Sequence, residues 1–441
     1  MPEAKRIVEQ IYMNQSIARD YLEDSGLSKR KALPQFKRDL LEYEAALARC
    51  LNGVEKCLGA ETVDLEESLG RVLAEDQVSQ VSIPPWPRSM MDGYAVKAAD
   101  VRDASHEQPV LLDMIDDVPA GHVSWKTVAP GQAIRIMTGA CVPSGADAVI
   151  KLEQTRALIG NKVEVVEPVG ENLYIIPPGQ DMAPGAAAAR SGSAVTPALM
   201  GVLAGCGIRQ VRVSRKPWVA IIPTGSELIR PGQPPEAGKI YDINSHALYG
   251  LCLFSGAQPV NVGVVKDKAS DLLEALQNNL DKDIILLTGG VSVGDYDIVH
   301  ETLVQAGVRE IFWRVKVQPG KPLFFGACGK TLVFGLPGNP VSSTVNFYLF
   351  VRPVLDKLSG KSRWGLETAT AQVSNSRILI PGRRKFLRGK IRPENGCTYV
   401  EVLSEQRSGV FSPMLQADVL IEVPGQVKRL ARGDMVKIRL L

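Results

Sequence analysis

The sequence predicts a multidomain α/β plus β protein: a parallel α/β domain, a helical/β N-terminal part carrying an inserted small β domain, and a C-terminal β-barrel. Three observations predict it. The chain has 441 residues, more than one hydrophobic core ordinarily supports. Between about residues 215 and 357, strand and helix patterns alternate as in a parallel sheet with crossover helices. On either side, in 81–177 and 358–441, short apolar runs are broken by Gly, Pro and Asn.

Residues 1–38 form a polar N-terminal extension in which Pro34 ends one segment, and no role is read from it. Apolar residues then recur at helical spacing (Leu40, Leu41, Leu47, Leu51, Val54, Leu58). A shorter helix is expected from Asp64 through Leu65, Leu69, Val72 and Leu73, with Gly59 as the stop between the two. Thr196 and Pro197 supply an N-cap and a first-turn proline for a helix ending at Gly205, so 39–80 and 178–214 are grouped as a linker/helical domain. The inserted domain, 81–177, contains the strand patterns PVLLDMI, GQAIRIMTG, ADAVIKLEQ and KVEVVEP.

In the α/β domain, 215–357, the strands WVAIIP, QPVNVGVV, DIILLTG and TLVFGLP alternate with helices over 245–255, 269–280, 297–306 and 341–356. From 358 to 441 the runs TATAQV, KFLRGKI, TYVEVL, DVLIEVP and DMVKIRLL predict a small β-barrel, with a sandwich as the alternative.

Composition narrows the function. Lys plus Arg number 51 against 48 for Asp plus Glu, with no block of one sign, so neither a nucleic-acid partner nor an anionic membrane surface is supported. The seven cysteines are odd in number, scattered and without a Cys-x-x-Cys pair, which argues against a disulfide framework and a structural zinc site. A reducing cytoplasm is expected. No targeting segment or run of about 18 apolar residues is found. The four histidines (His106, His122, His246, His300) show no paired ligand spacing.

In an open parallel sheet, ligands bind beyond the carboxyl ends of the strands. PTGSEL places Glu227 there, TGGVSVGDYD places Ser292 and Asp297, and VVKDKASDLL places Asp267. Capping and ligand contact both remain open for Asp267, whereas Asn244 in KIYDINSHAL reads first as an N-cap. Carboxylates gathered on such a rim suit Mg²⁺, commonly held by one or two carboxylates with substrate phosphate and water. WRVKVQPGKP, with Arg314, Gln318 and Lys321, and GLPGNP, with Pro337, Gly338, Asn339 and Pro340, are proline-flanked glycine turns that can face an oxyanion. In the β region, SMMDGYAV carries Asp92, IMTGACVPSGADAV carries Thr138, and VGENLYIIPPGQD carries Asp181. Taken singly, Asp92 reads as hairpin chemistry and Asp181 as a loop acid.

In this order, SMMDGYAV, IMTGACVPSGADAV, GENL with PGQD, PTGSEL, IYDINS, TGGVSVGDYD, QPGKP and GLPGNP resemble the MoeA family of molybdopterin molybdenumtransferases, which includes the gephyrin E domain. The similarity covers roughly 40–441. It implies a MogA-like α/β domain and a homodimer whose active sites combine the α/β domain of one chain with the β region of the other. It also implies Mg²⁺-dependent insertion of molybdenum from molybdate into adenylylated molybdopterin, with release of AMP. The molybdopterin adenylyltransferase and acceptor molybdoenzymes are the partners it implies. Carried over residue by residue, the functional acids are Asp92, Asp181, Glu227, Asp267 and Asp297, with Glu227 and Asp297 as metal ligands. Thr138, Ser292, Arg314, Gln318, Lys321 and the turn Pro337–Pro340 face the substrates.

Gln318 departs from the pattern, since the family commonly has lysine there. Lys316 shares a face with Gln318 and Arg314 if the strand is regular. The competing readings are an adenylyltransferase acting one step earlier, disfavoured by the extra β regions, and a non-catalytic scaffold, disfavoured by the retained acids.

Overall fold

The strand patterns Ile284–Thr288 and Thr331–Leu336 are continuous apolar runs because both of their faces are covered; every residue of the two is buried. They sit at the centre of a six-stranded sheet ordered Gln258–Asn261, Trp218–Pro223, Ile284–Thr288, Thr331–Leu336, Phe324–Cys328, Arg309–Trp313. The first four strands are parallel, and the last two add an antiparallel edge. The computed structural model describes residues 40–158, 160–290, 296–394 and 397–441. Within this part, Leu41–Leu441 form one unit. Among the described residues no helix is long and apolar enough to cross a membrane.

Both faces of the sheet carry helices. On one, Leu248 and Cys252 of the helix Asn244–Phe254 pack with Val341, Val345 and Phe347 from the helical stretch that begins at Pro340. Tyr43, Ala46 and Cys50 of the helix Tyr43–Asn52 join this core, so the first helix covers the α/β sheet. On the other face Leu272, Leu276, Val299 and Leu303 cover Ile222, Ile285 and Leu287.

The expected helix from Asp64 to Leu73 is instead a strand, Ala60–Asp64, paired with Gln210–Ser214, followed by one 3-10 turn, Leu65–Ser68. Leu65 and Leu73 are still buried, Leu69 is exposed, and Gly70 at φ +73° stops the turn. Thr196 caps the helix Pro197–Gly205 as expected, its hydroxyl oxygen accepting from Leu199 N at 3.2 Å.

The inserted region forms a six-stranded sheet ordered Ala148–Lys151, Gly93–Val96, Gln132–Ile136, Val110–Val118, Lys162–Val165, Thr155–Leu158. At the C-terminus, Arg384–Glu394, Cys397–Val402, Thr368–Val373, Met435–Leu440 and Val419–Val423 pair in that order. The last returns to the first, which closes a five-stranded barrel. A short strand from the α/β segment, Val317–Gln318, pairs in parallel with Arg384 and Lys385 of this barrel. That pairing brings the QPGKP turn beside the C-terminal domain.

Candidate active site

Beyond the carboxyl ends of the parallel strands, PTGSEL and the start of TGGVSVGDYD run out together. Thr224 N donates to Thr288 O at 2.8 Å, and Gly289, at φ +90°, lies so close to Thr224 that a Cβ there would sit 2.2 Å from the Thr224 carbonyl oxygen. Only glycine fits. Ser226 N donates to Asp267 Oδ2 at 2.7 Å, which brings Asp267 beside Glu227. The bond made by Asp267 thus runs across to the PTGSEL turn, while Lys268 stands at the N-cap of the helix Ala269–Gln277. The Glu227 carboxylate folds over Gly225, and both acids are exposed. Asp297 is the second residue of the helix Tyr296–Gln305, its side chain falls outside the described part, and Ser292 lies outside the described residues.

Asn244 is not the cap of its helix. Asp242, which is buried, makes the helix-start bond through Oδ1 to Ser245 N at 3.0 Å, and its other oxygen accepts from the Ser245 hydroxyl. Asn244 instead donates from Nδ2 to Gly338 O at 2.8 Å and leaves a buried Oδ1 without a partner. The PGNP turn therefore stands between two neighbourhoods. Gly338 faces Asn244 and Gly289, and Asn339 donates to Ser408 Oγ at 3.1 Å on the C-terminal domain.

On that second side lies a cleft of about 780 Å³. Gln318, Lys321 and Asn339 line one wall; Arg377, Arg383 and the loop Ser404–Gly409 line the other. Lys321, Arg377, Arg383 and Arg407 face a single carboxylate, Glu405, so the cleft carries a net positive charge and favours an anion. Arg383 donates to Val317 O at 3.2 Å, and Arg377 donates to the carbonyls of Leu403 and Ser404 at 3.0 and 3.1 Å. Glu405 accepts from the backbone N and the guanidinium of Arg407, and that guanidinium, the largest cause, holds its carboxyl at about 2. The QPGKP turn is fixed by Asn346, fully buried, which donates to Gly320 O at 3.0 Å and Pro322 O at 3.3 Å. A Cβ on Gly320, at φ +97°, would lie 2.4 Å from Asn346 Oδ1.

Arg314 and Lys316 are not among the residues lining the cleft. Lys316 Nζ donates to Glu42 Oε1 at 2.6 Å, and Arg314 has φ +144°. The strand is regular only over Val317–Gln318, so strict alternation does not carry Lys316 to the face of Gln318. Sequence reasoning missed Arg377, Arg383, Arg407 and Ser408. Arg377 opens the short strand Arg377–Ile378, whereas Arg383, Arg407 and Ser408 stand in turns at the rim of the barrel, where the one local sign was the basic, glycine-containing sequence, PGRRK and QRSG.

In the inserted domain, Thr138 donates to Asp92 Oδ1 twice, from N and from Oγ1, each at 2.7 Å. The backbone N–H first and the hydroxyl second hold the Asp92 carboxyl below its ordinary range, although it is exposed. The Asp-Gly pair does not close a hairpin. The strand before it, Arg88–Ser89, pairs with Ile175–Ile176, and Ser89 exchanges backbone bonds with Gly139 and Ala140 at 2.8 and 3.0 Å. Asp181 is an exposed loop acid whose N–H donates to Ile83 O at 2.9 Å. Among the described residues no hydrogen bond connects Asp92, Thr138 or Asp181 to the cleft. Nor, among the described residues, do three or more His, Cys, Asp or Glu side chains gather as a ready-made metal cage.

A carboxylate rim and a cationic cleft, joined by one turn, suit a phosphorylated substrate handled beside a small oxyanion. Comparison with known proteins identifies the family. Residues 41–207 match the MoeA N-terminal region (domain I and II), 220–357 a probable molybdopterin binding domain, and 370–441 the MoeA C-terminal region (domain IV). The chain is 34% identical over 417 residues to a molybdopterin molybdenumtransferase of Bacillus subtilis, spanning 92% of this chain and 95% of that protein. It is 36% identical over 378 residues to one of a Nostoc species, spanning 82% and 85%. The crystal structure of a molybdopterin biosynthesis MoeA protein from Pyrococcus horikoshii superposes with a TM-score of 0.77 at 34% identity, covering 91% of this chain and all of the other. The chain belongs to the MoeA family of molybdopterin molybdenumtransferases, enzymes of molybdenum cofactor biosynthesis.

Proposed function

We propose that this chain inserts molybdenum from molybdate into adenylylated molybdopterin and releases AMP. The observation that carries the reading is the cleft, where four cationic side chains face one carboxylate and the PGNP turn links it to the rim of Glu227 and Asp267. Lys321 and Arg383 are suited to hold a tetrahedral dianion through charge-assisted bonds, and Gln318 adds a neutral donor in place of the family's usual lysine. Glu227 and Asp267 offer carboxylate oxygens on an exposed edge. Such a donor set fits Mg²⁺, with water and substrate phosphate completing its shell.

Glu227 and Asp297 are the residues assigned to hold Mg²⁺, and Asp267 stands beside Glu227. The ion, when bound, would neutralise charge on the phosphates of the adenylylated pterin. Glu227 and Asp267 would orient the phosphates at the rim while the cleft holds the oxyanion next to the PGNP turn. The exposed Asp92–Thr138 pair, which among the described residues bonds to neither the rim nor the cleft, supports a site completed across a homodimer. The adenylyltransferase would supply the substrate, an acceptor molybdoenzyme would take the product, and the cytoplasm is the proposed compartment.

The test is direct. Purified protein, adenylylated molybdopterin and Mg²⁺ are mixed with and without molybdate, and AMP is measured. Molybdate-triggered release of AMP is the expected result. No release rejects the reading, and synthesis of the adenylylated pterin from molybdopterin and ATP would reassign the chain to the earlier step.

A further inference from the structure

Six consecutive residues of the C-terminal wall of the cleft, Ser404–Gly409, form one loop, and a side chain outside the cleft fixes it. Arg388, on the barrel strand Arg384–Glu394, is 1% exposed. Its Nη1 donates to Val410 O at 2.9 Å and its Nη2 to Arg407 O at 3.2 Å, while Nε is buried without a partner. Its backbone is gripped by Gln406. Arg388 N donates to Gln406 Oε1 at 3.0 Å, and Gln406 Nε2 donates to the carbonyls of Arg388 and Leu403, each at 2.9 Å. Leu403 N closes the ring by donating to Arg388 O at 3.0 Å.

This arrangement is costly. A buried guanidinium ordinarily has a carboxylate partner, and replacing such a charge by an apolar side chain of similar volume is often neutral or stabilising. Here the bonded partners are carbonyls alone, Glu405 acts from a longer range, and Arg377 repels. What the arrangement achieves is local. Two loop carbonyls are turned inward, and the residues between and before them, Ser404 to Gly409, are left to line the cleft.

We propose that Arg388 is a positioning residue for oxyanion binding: with Gln406 it clasps the loop 403–411 in the shape that lines the cleft, and its charge, bonded only to carbonyls, adds to the positive field behind that wall. The proposal rests on the oxyanion reading given above, but the clasp has its own readout.

The experiment uses the full chain with Arg388→Met, which keeps bulk without charge, and Arg388→Lys, which keeps charge without the fork. Molybdate binding is measured by calorimetry, the thermal midpoint by scanning, and amide exchange by mass spectrometry. Arg388→Met should weaken molybdate by about tenfold, through the loosened wall and the lost background charge and not through a lost contact. Exchange should accelerate across 403–411 alone, with the thermal midpoint held or raised. Arg388→Lys should recover part of the affinity.

Molybdate affinity within about twofold of the parent in Arg388→Met overturns the proposal. So does unchanged exchange over 403–411, or a parallel fall of midpoint and affinity in both variants, which would mean a structural role only. If Arg388→Met does not fold, Arg388→Lys decides: faster loop exchange with weaker molybdate supports the clasp, and parent-like values overturn it. Should the parent chain itself bind no molybdate, the oxyanion reading falls, and the charge role of Arg388 falls with it. Loop exchange then still decides the clasp.

Discussion

Replacing Gly289 by alanine asks two things of the protein at once, and the structure separates them. At φ +90° an L-residue costs roughly 1–2 kcal/mol in backbone strain. The added Cβ would also sit 2.2 Å from the Thr224 carbonyl oxygen, so the PTGSEL turn must move, at about 1–3 kcal/mol for an overpacked site. The expected total is about 2–5 kcal/mol. Gly329 supplies the control. It has φ +57° in the turn between Phe324–Cys328 and Thr331–Leu336 of the same sheet, and a Cβ added there would meet nothing within 4 Å. Gly329→Ala should therefore show the backbone cost alone.

Urea unfolding followed by tryptophan fluorescence provides the assay, with Trp313, buried against Phe324, as a reporter in this domain. Because the Thr224 turn leads directly to Glu227, Gly289→Ala should also lose AMP release, while Gly329→Ala should keep it. Equal destabilisation of the two variants would refute the close approach of the two rim turns.

Four further outcomes are expected. Gln318→Lys should tighten molybdate and make binding more sensitive to salt, because a lysine at 4 Å gains roughly 4 kcal/mol per charge before desolvation and side-chain entropy are subtracted. Lys316→Ala should leave binding unchanged, its ammonium being engaged by Glu42; titrations at two ionic strengths would expose the reverse order. Thr138→Val removes one of the two bonds to Asp92 Oδ1 and leaves the backbone N–H, so the depressed Asp92 pKa should rise partway to its ordinary value, as read by carboxyl NMR titration. Since the folded value is lowered, any stability that Asp92 contributes is present above the ordinary carboxyl pKa and is lost as pH falls through the lowered one; Thr138→Val should narrow that window, and no shift in the titration would refute the assignment. Finally, a chain with Asp92→Ala mixed with one carrying Asp297→Ala should regain activity in heterodimers, and inactive heterodimers would reject a site shared between subunits.

The legibility of this fold follows how locally each feature is encoded. Ile284–Thr288 and Thr331–Leu336 stood out because two-sided burial writes an unbroken apolar run into the sequence. The Asp64–Leu73 stretch misled because Leu65 and Leu73, spaced as on a helix, are buried by a strand and a single turn instead. Glu227 and Asp267 were legible as strand-end acids, but nothing nearby announced that Ser226 N would join them. The cationic wall of the cleft was the least visible. Arg377, Arg383 and Arg407 reach Lys321 only through the barrel, and a parallel pairing between distant segments leaves no periodic mark on either one.

The pairing of Val317 and Gln318 with Arg384 and Lys385 also bears on how this protein can be divided. By sequence texture, a cut near residue 357 separates an α/β module from a β module. Yet a strand of the first module, Val317–Gln318, is paired onto the barrel, and it leads straight into Lys321. Excising 215–357 as a free-standing protein would unpair that strand and forfeit three of the four cleft cations; grafting a different module after 357 would do the same. Recombination at that boundary cuts through the cleft instead of beside it, so the two segments hold together as one piece, and a substitution in the barrel strand reaches the wall of the candidate site.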